Sequence, residues 1–170
     1  MDAVLSSFAS SLADHDVDLV ETTVDEAPAA IEDRLEQPVV GAPLDSVGLS
    51  LSDLSVDVNT DPSFEDLFDA NTGLTPAVSA IADYGSVVLQ GTEDGEEPLS
   101  LYPETHVAVL AQRTIHEDMA AAIDSVADEI RAGNHSHILS TGPSATADMG
   151  ELVKGAHGPK AVEVVVVTDE

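Results

Sequence analysis

The residues best suited to chemistry lie together near the end of the chain. Ser140-Thr141-Gly142-Pro143-Ser144-Ala145-Thr146-Ala147-Asp148 is followed, after a short gap, by Gly155-Ala156-His157-Gly158-Pro159. Glycine and proline turn the backbone tightly and leave bare N–H groups beside hydroxyls, a carboxylate and an imidazole. Such a segment could cradle a phosphate or carboxylate on the N–H groups of Gly142 and Ser144 and on the start of a following helix. Equally, it could be a structural turn in which Ser144 or Thr146 caps that helix. Asp148 and His157, the acid and the imidazole of the two segments, could act as a general base or orient a polar substrate. The alternative places Asp148 at a helix start and leaves His157 to fix a glycine turn. Ser144 lacks the G-x-S-x-G elbow that exposes an activated serine nucleophile.

Other candidates flank this stretch. Lys154 and Lys160 are two of only five basic residues. A cation retained in so acidic a chain could meet an anionic ligand, and a surface turn would hold it equally well. His135-x-His137 puts two imidazoles on one strand face, but no cysteine or carboxylate follows at ligand spacing, so no metal site is expected. Tyr84-Gly85-Ser86 reads as a turn at a sheet end that could face the same pocket.

These residues need a scaffold, and its pattern is alternating. Leu5, Phe8, Ala9 and Leu12 sit at helical spacing over residues 2–13, and residues 17–22 read as a strand. Thr23-x-x-Glu26 has the form of a capping box opening a helix with Ala27, Ala30, Ile31 and Leu35 on one face, stopped by Pro38. Residues 39–42 read as the next strand, completing a β-α-β unit. Leu51 and Leu54 suit a short helix and residues 56–58 a short strand; Ser63 can cap a helical turn carrying Phe64, Leu67 and Phe68. Residues 77–82 and 86–89 read as strands, 91–98 as an exposed acidic loop, and 106–110 as a strong strand. Thr114-x-x-Glu117 suggests a second capping box before a helix with Met119, Ile123, Val126, Ala127 and Ile130 on one face, closed by Arg131 and Gly133. A strand ending at Thr141 and a last one over 162–167 bracket the candidate loop. That places the loop at the C-terminal end of a parallel strand, where open α/β sheets bind ligands. We therefore expect one layered α/β, Rossmann-like domain over residues 1–170 with a mostly parallel sheet.

Composition narrows the setting. At 170 residues the chain is long enough to bury a core, and its 43% hydrophobic content opposes disorder. Five Lys plus Arg against 33 Asp plus Glu give a net charge of -28. Acids spread along the chain suit a cytoplasm at very high salt, where ions screen their repulsion. The same field disfavours nucleic acid and anionic membranes. There is no cysteine, which removes thiol catalysis and any iron-sulfur cluster ligated through thiolates of this chain. No apolar run approaches the ~20 residues of a membrane span, and Met1-Asp2-Ala3-Val4 lacks the basic start of a signal peptide, so a cytoplasmic location is expected.

The paired C-terminal segments resemble the signature of the LUD domain, and more narrowly the lactate-utilisation protein C family. Two upstream stretches match in order: Ala80-Ile81-Ala82-Asp83-Tyr84-Gly85-Ser86-Val87-Val88-Leu89 and Leu99-Ser100-Leu101-Tyr102-Pro103-Glu104-Thr105-His106-Val107. The family usually has Thr-Gly-Thr at Tyr84-Gly85-Ser86 and an arginine at Ala145, so an anion clamp here would lack that side chain. The resemblance implies a fold of the ribose-5-phosphate isomerase and CoA transferase-like (NagB/RpiA-like) type. It implies a subunit of a lactate-utilisation system that oxidises lactate to pyruvate beside iron-sulfur partner proteins, with no cofactor on this chain. It singles out Thr141, Gly142, Ser144, Thr146, Gly155, Gly158, Tyr84, Gly85, Ser86 and His106 as ligand-facing, although a hydrogen-bonded strand histidine would also account for His106; Lys154 joins them as the cation beside the glycine segment. The other reading is a stand-alone enzyme binding a small anionic metabolite, a phosphorylated compound or a CoA ester, at the glycine-rich loop.

Overall fold

The computed structural model describes residues 2–147 and 150–169. The Asp2 carboxylate accepts the Val4 N–H and caps α1 (Ala3–Ala13), which buries Leu5, Phe8 and Leu12 along one face. The chain continues through β1 (Asp18–Thr22), α2 (Ala27–Glu32), β2 (Val39–Gly41), α3 (Phe64–Asp69), β3 (Thr72–Pro76), β4 (Ser79–Ile81) and β5 (Ser86–Gln90). Next come α4 (Glu96–Leu101), β6 (Thr105–Ala111), β7 (Ile115–His116), α5 (Met119–Ala132), β8 (His137–Thr141), β9 (Ala145–Thr146), β10 (Val153–Lys154) and β11 (Ala161–Val167).

Five strands form a wholly parallel sheet in the order β1-β11-β6-β3-β2. Its central strands β6 and β11 are nearly continuous runs of Val, Leu and Ala because both their faces are covered. On one face Leu74, Val107, Val109, Val165 and Val167 meet Ile31 of α2 with Leu44 and Val47. On the other, Ala108, Leu110, Val162, Val164 and Val166 pack against α1 and against Ala80, Val87 and Leu89. Those last residues belong to a second, mixed sheet ordered β7-β4-β5-β8, which takes the place of a helical layer. Helix α5 lies on its far side, Ala122 and Val126 packing with Ile81 and Val88.

The α/β class and the mostly parallel central sheet agree with the sequence reading; several local expectations do not. The expected β1-α2-β2 succession is present in one parallel sheet, but its two strands stand at opposite edges with three strands between them. Strand β3 is central yet unexpected, because its Thr-Gly-Leu-Thr-Pro sequence has no apolar run. Its buried threonines are satisfied instead: Thr72 Oγ1 donates to Glu36 O, and Thr75 Oγ1 pairs with His106. Neither expected threonine capping box forms. Glu26 is the N-cap of α2 without a side-chain bond, and Asp118, not Thr114, caps α5 by accepting the Ala121 N–H. Thr114 Oγ1 donates to Ala111 O. A capping box does close at Ser63 and Asp66. Residues 56–58 form no strand; a single bridge joins Val40 to Asn59. The exposed loop expected over 91–98 ends in α4, whose Glu96 is buried and accepts from the Thr92 N–H and Oγ1.

Candidate functional site

The structure brings most of the motif residues together at one end of the small sheet. Ser86, at the start of β5, faces Thr141, at the end of β8, and their hydroxyl oxygens are 2.6 Å apart. Just before Ser86, Gly85 turns at φ +61, and a Cβ there would lie 2.8 Å from the Ser11 carbonyl carbon of α1. A residue with a side chain could neither reach that conformation cheaply nor fit against the helix backbone. Gly142 follows Thr141 and lies against His15, at the end of the same helix. Tyr84 remains 51% exposed on this surface.

The two motif segments then fold onto each other. The Ser144 N–H donates to Pro159 O at 2.9 Å, and the Gly155 N–H donates to Ser144 O at 2.9 Å. Gly158 passes so close to Ser144 that an added Cβ would stand 3.0 Å from the serine Cβ. Between them β9 and β10 make a short antiparallel hairpin, with Thr146 opposite Val153 and Ala145 opposite Lys154. His157 is exposed. Asp148, the expected acid of the pair, lies outside the described residues.

Two geometric expectations for this loop are corrected. First, β9 follows Ser144, so there is no helix start to receive an anion there, and the Ser144 N–H is already engaged with Pro159 O. Second, β8 is an edge strand of the mixed sheet and not a member of the parallel one. The hairpin instead reaches the N-terminal ends of the parallel strands. Lys154 Nζ is 2.9 Å from Asp16 Oδ2 just before β1, and Lys160 Nζ pairs with Glu104 just before β6. Both lysines are thus held by carboxylates. The Lys154 hydrogen bond keeps the Asp16 carboxyl below the usual range. Because this pair is exposed and salt screens it, Lys154→Met is expected to leave the chemical-unfolding midpoint unchanged at multimolar salt and to lower it detectably only as salt is withdrawn.

His106 stands apart from the motif surface. It is 1% exposed, on the face of β6 turned toward the small sheet, with Nε2 2.9 Å from Thr75 Oγ1. Nδ1 has no partner among the described residues. Burial pushes the imidazole down to about 4, so it is neutral near neutral pH.

Cavities at the C-terminal ends of the parallel strands had no counterpart in the sequence reading. One of about 220 Å³, beyond β2 and β3, is lined by Pro43, Asp45, Pro76, Asp94 and Glu96. Another of about 330 Å³, beyond β6 and β11, is lined by Asp2, Gln112, Arg113 and Thr168. The acidic stretch around Glu96 signals a loop by composition; only the fold shows that its glutamate turns inward.

Comparison with known proteins places this arrangement. A family model described as the LUD domain matches residues 12–167. Lactate utilization protein C of Deinococcus radiodurans is 31% identical over 173 residues, spanning 96% of this chain and 79% of that protein. The protein of that name from Macrococcus caseolyticus is 27% identical over 170 residues, 90% of this chain and 73% of its own. For the Geobacillus sp. protein of that name the similarity is 35% over 107 residues, 59% of this chain and only 43% of that protein. The crystal structure of a DUF162 family protein from Deinococcus radiodurans matches the fold with a TM-score of 0.74 at 26% identity, over 96% of both chains. The chain belongs to the LUD-domain family and is a homologue of lactate utilization protein C.

Proposed function

We propose that this protein is a non-redox subunit of a lactate-utilisation system, working beside iron-sulfur proteins that oxidise lactate to pyruvate. Lactate oxidation releases two electrons, and a chain with no cysteine has no thiolates to hold a cluster for them. In this reading the electrons pass to iron-sulfur clusters on the partners, and this chain contributes no cofactor. The observation that carries the accessory role is the self-engagement of the motif hairpin. Its lysines pair with Asp16 and Glu104, and its Ser144 and Gly155 N–H groups bond within the motif. Such a surface is better suited to docking than to gripping a free anion.

In this reading Tyr84, Gly85, Ser86, Thr141, Gly142, Ser144, Thr146, Lys154, Gly155, His157 and Gly158 form the working face, and Asp148 is assigned to it by the sequence motif alone. The chain is one domain over residues 1–170, of the ribose-5-phosphate isomerase and CoA transferase-like variant. Its charge of -28 fits a haloarchaeal-type cytoplasm and not a nucleic-acid or membrane partner. No helix among the described residues is long and apolar enough to cross a membrane.

The test is affinity purification of the tagged protein from its own host at high salt throughout. Brown, iron-containing, cysteine-rich partners are expected to co-purify. Isolation of the protein alone even after cross-linking, together with a thermal shift on adding a phosphorylated sugar or CoA ester, would replace the subunit reading with that of a self-sufficient enzyme.

A further inference from the structure

Strand β8 is a free edge. It pairs antiparallel with β5 on one side and is the last strand of the small sheet on the other. Which of its main-chain groups face outward follows from the register. The Gly91 N–H donates to Ser136 O, so Gly91 and Ser136 form a hydrogen-bonded pair, and such pairs alternate along an antiparallel ladder. Ile138 and Ser140 therefore bond to Leu89 and Val87 of β5, while the N–H and C=O groups of His137, Leu139 and Thr141 point away from the sheet. None of those outward groups has a hydrogen-bond partner among the described residues.

An open edge invites other strands, and proteins blunt it with charge, brevity or a covering segment. The other edges of the two larger sheets are treated in those ways. Strand β1 carries Asp18 and Glu21, and β7 is two residues long. Strand β2 is covered by Asn59, whose N–H donates to Val39 O and whose carbonyl accepts the Gly41 N–H. Strand β8 has none of these devices: His-Ile-Leu-Ser-Thr contains neither proline nor a carboxylate, lysine or arginine. It lies within residues 132–147, which hold no Asp, Glu, Lys or Arg in a chain carrying 33 acids. An edge kept clear of carboxylates lets another copy of the same acidic chain come close, which an edge like that of β1 would oppose.

The flank beside this edge is apolar and uncovered. Helix α5 seals Ala122 and Val126 against Ile81 and Val88, but Ile123 and Ile130, expected on the buried face, are 53% and 44% exposed. They share an open apolar cavity of about 220 Å³ with Met119 and with Leu139 of β8, itself 45% exposed. We propose that the protein forms a twofold dimer through β8, the strand pairing antiparallel with its own copy so that the two small sheets become one. The outward groups set the register: Leu139 stands opposite its own copy and His137 opposite Thr141 of the second chain, with about six main-chain hydrogen bonds across the axis. Such an axis runs perpendicular to the sheet, so both copies of α5 lie on the same face. Ile123, Ile130 and Leu139 of each chain are then turned toward those of the other, apolar surface against apolar surface. A foreign strand would satisfy the same main-chain groups but leave the α5 flank in water, and this selects the second copy as the occupant. The pairing does not depend on the lactate reading.

Sedimentation equilibrium of the full chain at high salt reads the mass directly, and a single monomer–dimer equilibrium is expected. Amide hydrogen exchange should show the Leu139 N–H protected in the dimer and unprotected at dilutions that dissociate it, with Ile138 and Ser140 protected at every concentration. Leu139→Pro removes an outward N–H and leaves the pairing with β5 in place. Ile130→Glu sets a carboxylate on the apolar flank and leaves the strand untouched, so it tests the interface even where the proline variant folds poorly. Each should weaken association by at least about tenfold. A monomer at every concentration up to about 1 mM would overturn the assignment, as would a mass that keeps growing instead of stopping at two chains. So would a dimer whose Leu139 amide exchanges freely, or one that Ile130→Glu leaves intact.

Discussion

Gly73→Ala is expected to destabilise the protein by about 3 kcal/mol or more, at the top of the range for overpacked core sites. Gly73 lies inside β3, between Val40 of β2 and His106 of β6, at the heart of the parallel sheet. Helix α4 crosses over it so closely that an added Cβ would stand 1.9 Å from Leu99 O and 3.0 Å from both the Leu99 carbonyl carbon and Pro103 Cγ. Two of those atoms are backbone and cannot turn aside as a side-chain tip could. Leu99 is also fixed at its other end, its N–H bonding Gly95 O at 3.1 Å. Accommodating a methyl group would mean lifting α4 from the sheet, which disturbs the packing of Leu99 against Val40 and Leu67. Denaturant unfolding of the two proteins measures the difference. A loss below about 1 kcal/mol would show that α4 does not press on the strand as described.

That close approach also explains why β3 escaped the sequence reading. A strand is recognised by β-branched or alternating apolar residues, whereas Thr-Gly-Leu-Thr-Pro is shaped by what surrounds it: a helix over its glycine, a histidine against its second threonine. Strands β6 and β11 were legible because burial on both faces demands unbroken apolar runs, and α1 because Leu5, Phe8 and Leu12 recur at helical period. Cap patterns were less reliable. Thr23-x-x-Glu26 and Thr114-x-x-Glu117 fit the pattern, yet α2 starts at Ala27 and α5 behind Asp118, so each threonine lies too far upstream to cap. The composition of the motif was equally legible, but its position was not. Nothing in Ser140 to Pro159 says that β8 joins a different sheet from β11, and that single fact moves the hairpin to the opposite end of the parallel strands. Likewise Ile123 and Ile130 have a helical period, but period alone does not say whether the sheet beneath is wide enough to cover them.

His106 sets an acid limit on the fold that can be measured apart from every other group. Its ordinary value of 6.5 falls to about 4 on folding because the buried ring is stripped of water. Between those values the unfolded chain binds a proton that the folded chain does not, so stability rises with pH across the window and is lost as pH falls from 6.5 toward 4. Going from about pH 7 to about pH 4.5, the histidine should remove about 2 kcal/mol from the unfolding free energy. Carboxylates titrate in part of the same range and obscure the raw curve, which is why a difference is needed. His106→Leu leaves Thr75 without its partner, a loss that does not depend on pH in this window. The variant should therefore be less stable than wild type near neutrality, and the gap should shrink by about 2 kcal/mol on acidification as only the wild type incurs the proton-linked loss. A gap that stays constant would mean that the ring takes up protons equally in both states, which would require solvent access that its 1% exposure denies. The expected outcome makes His106 a neutral partner of Thr75 in the middle of the sheet at working pH. It also removes His106 from any proton transfer at the hairpin, leaving His157 as the exposed imidazole within the motif itself.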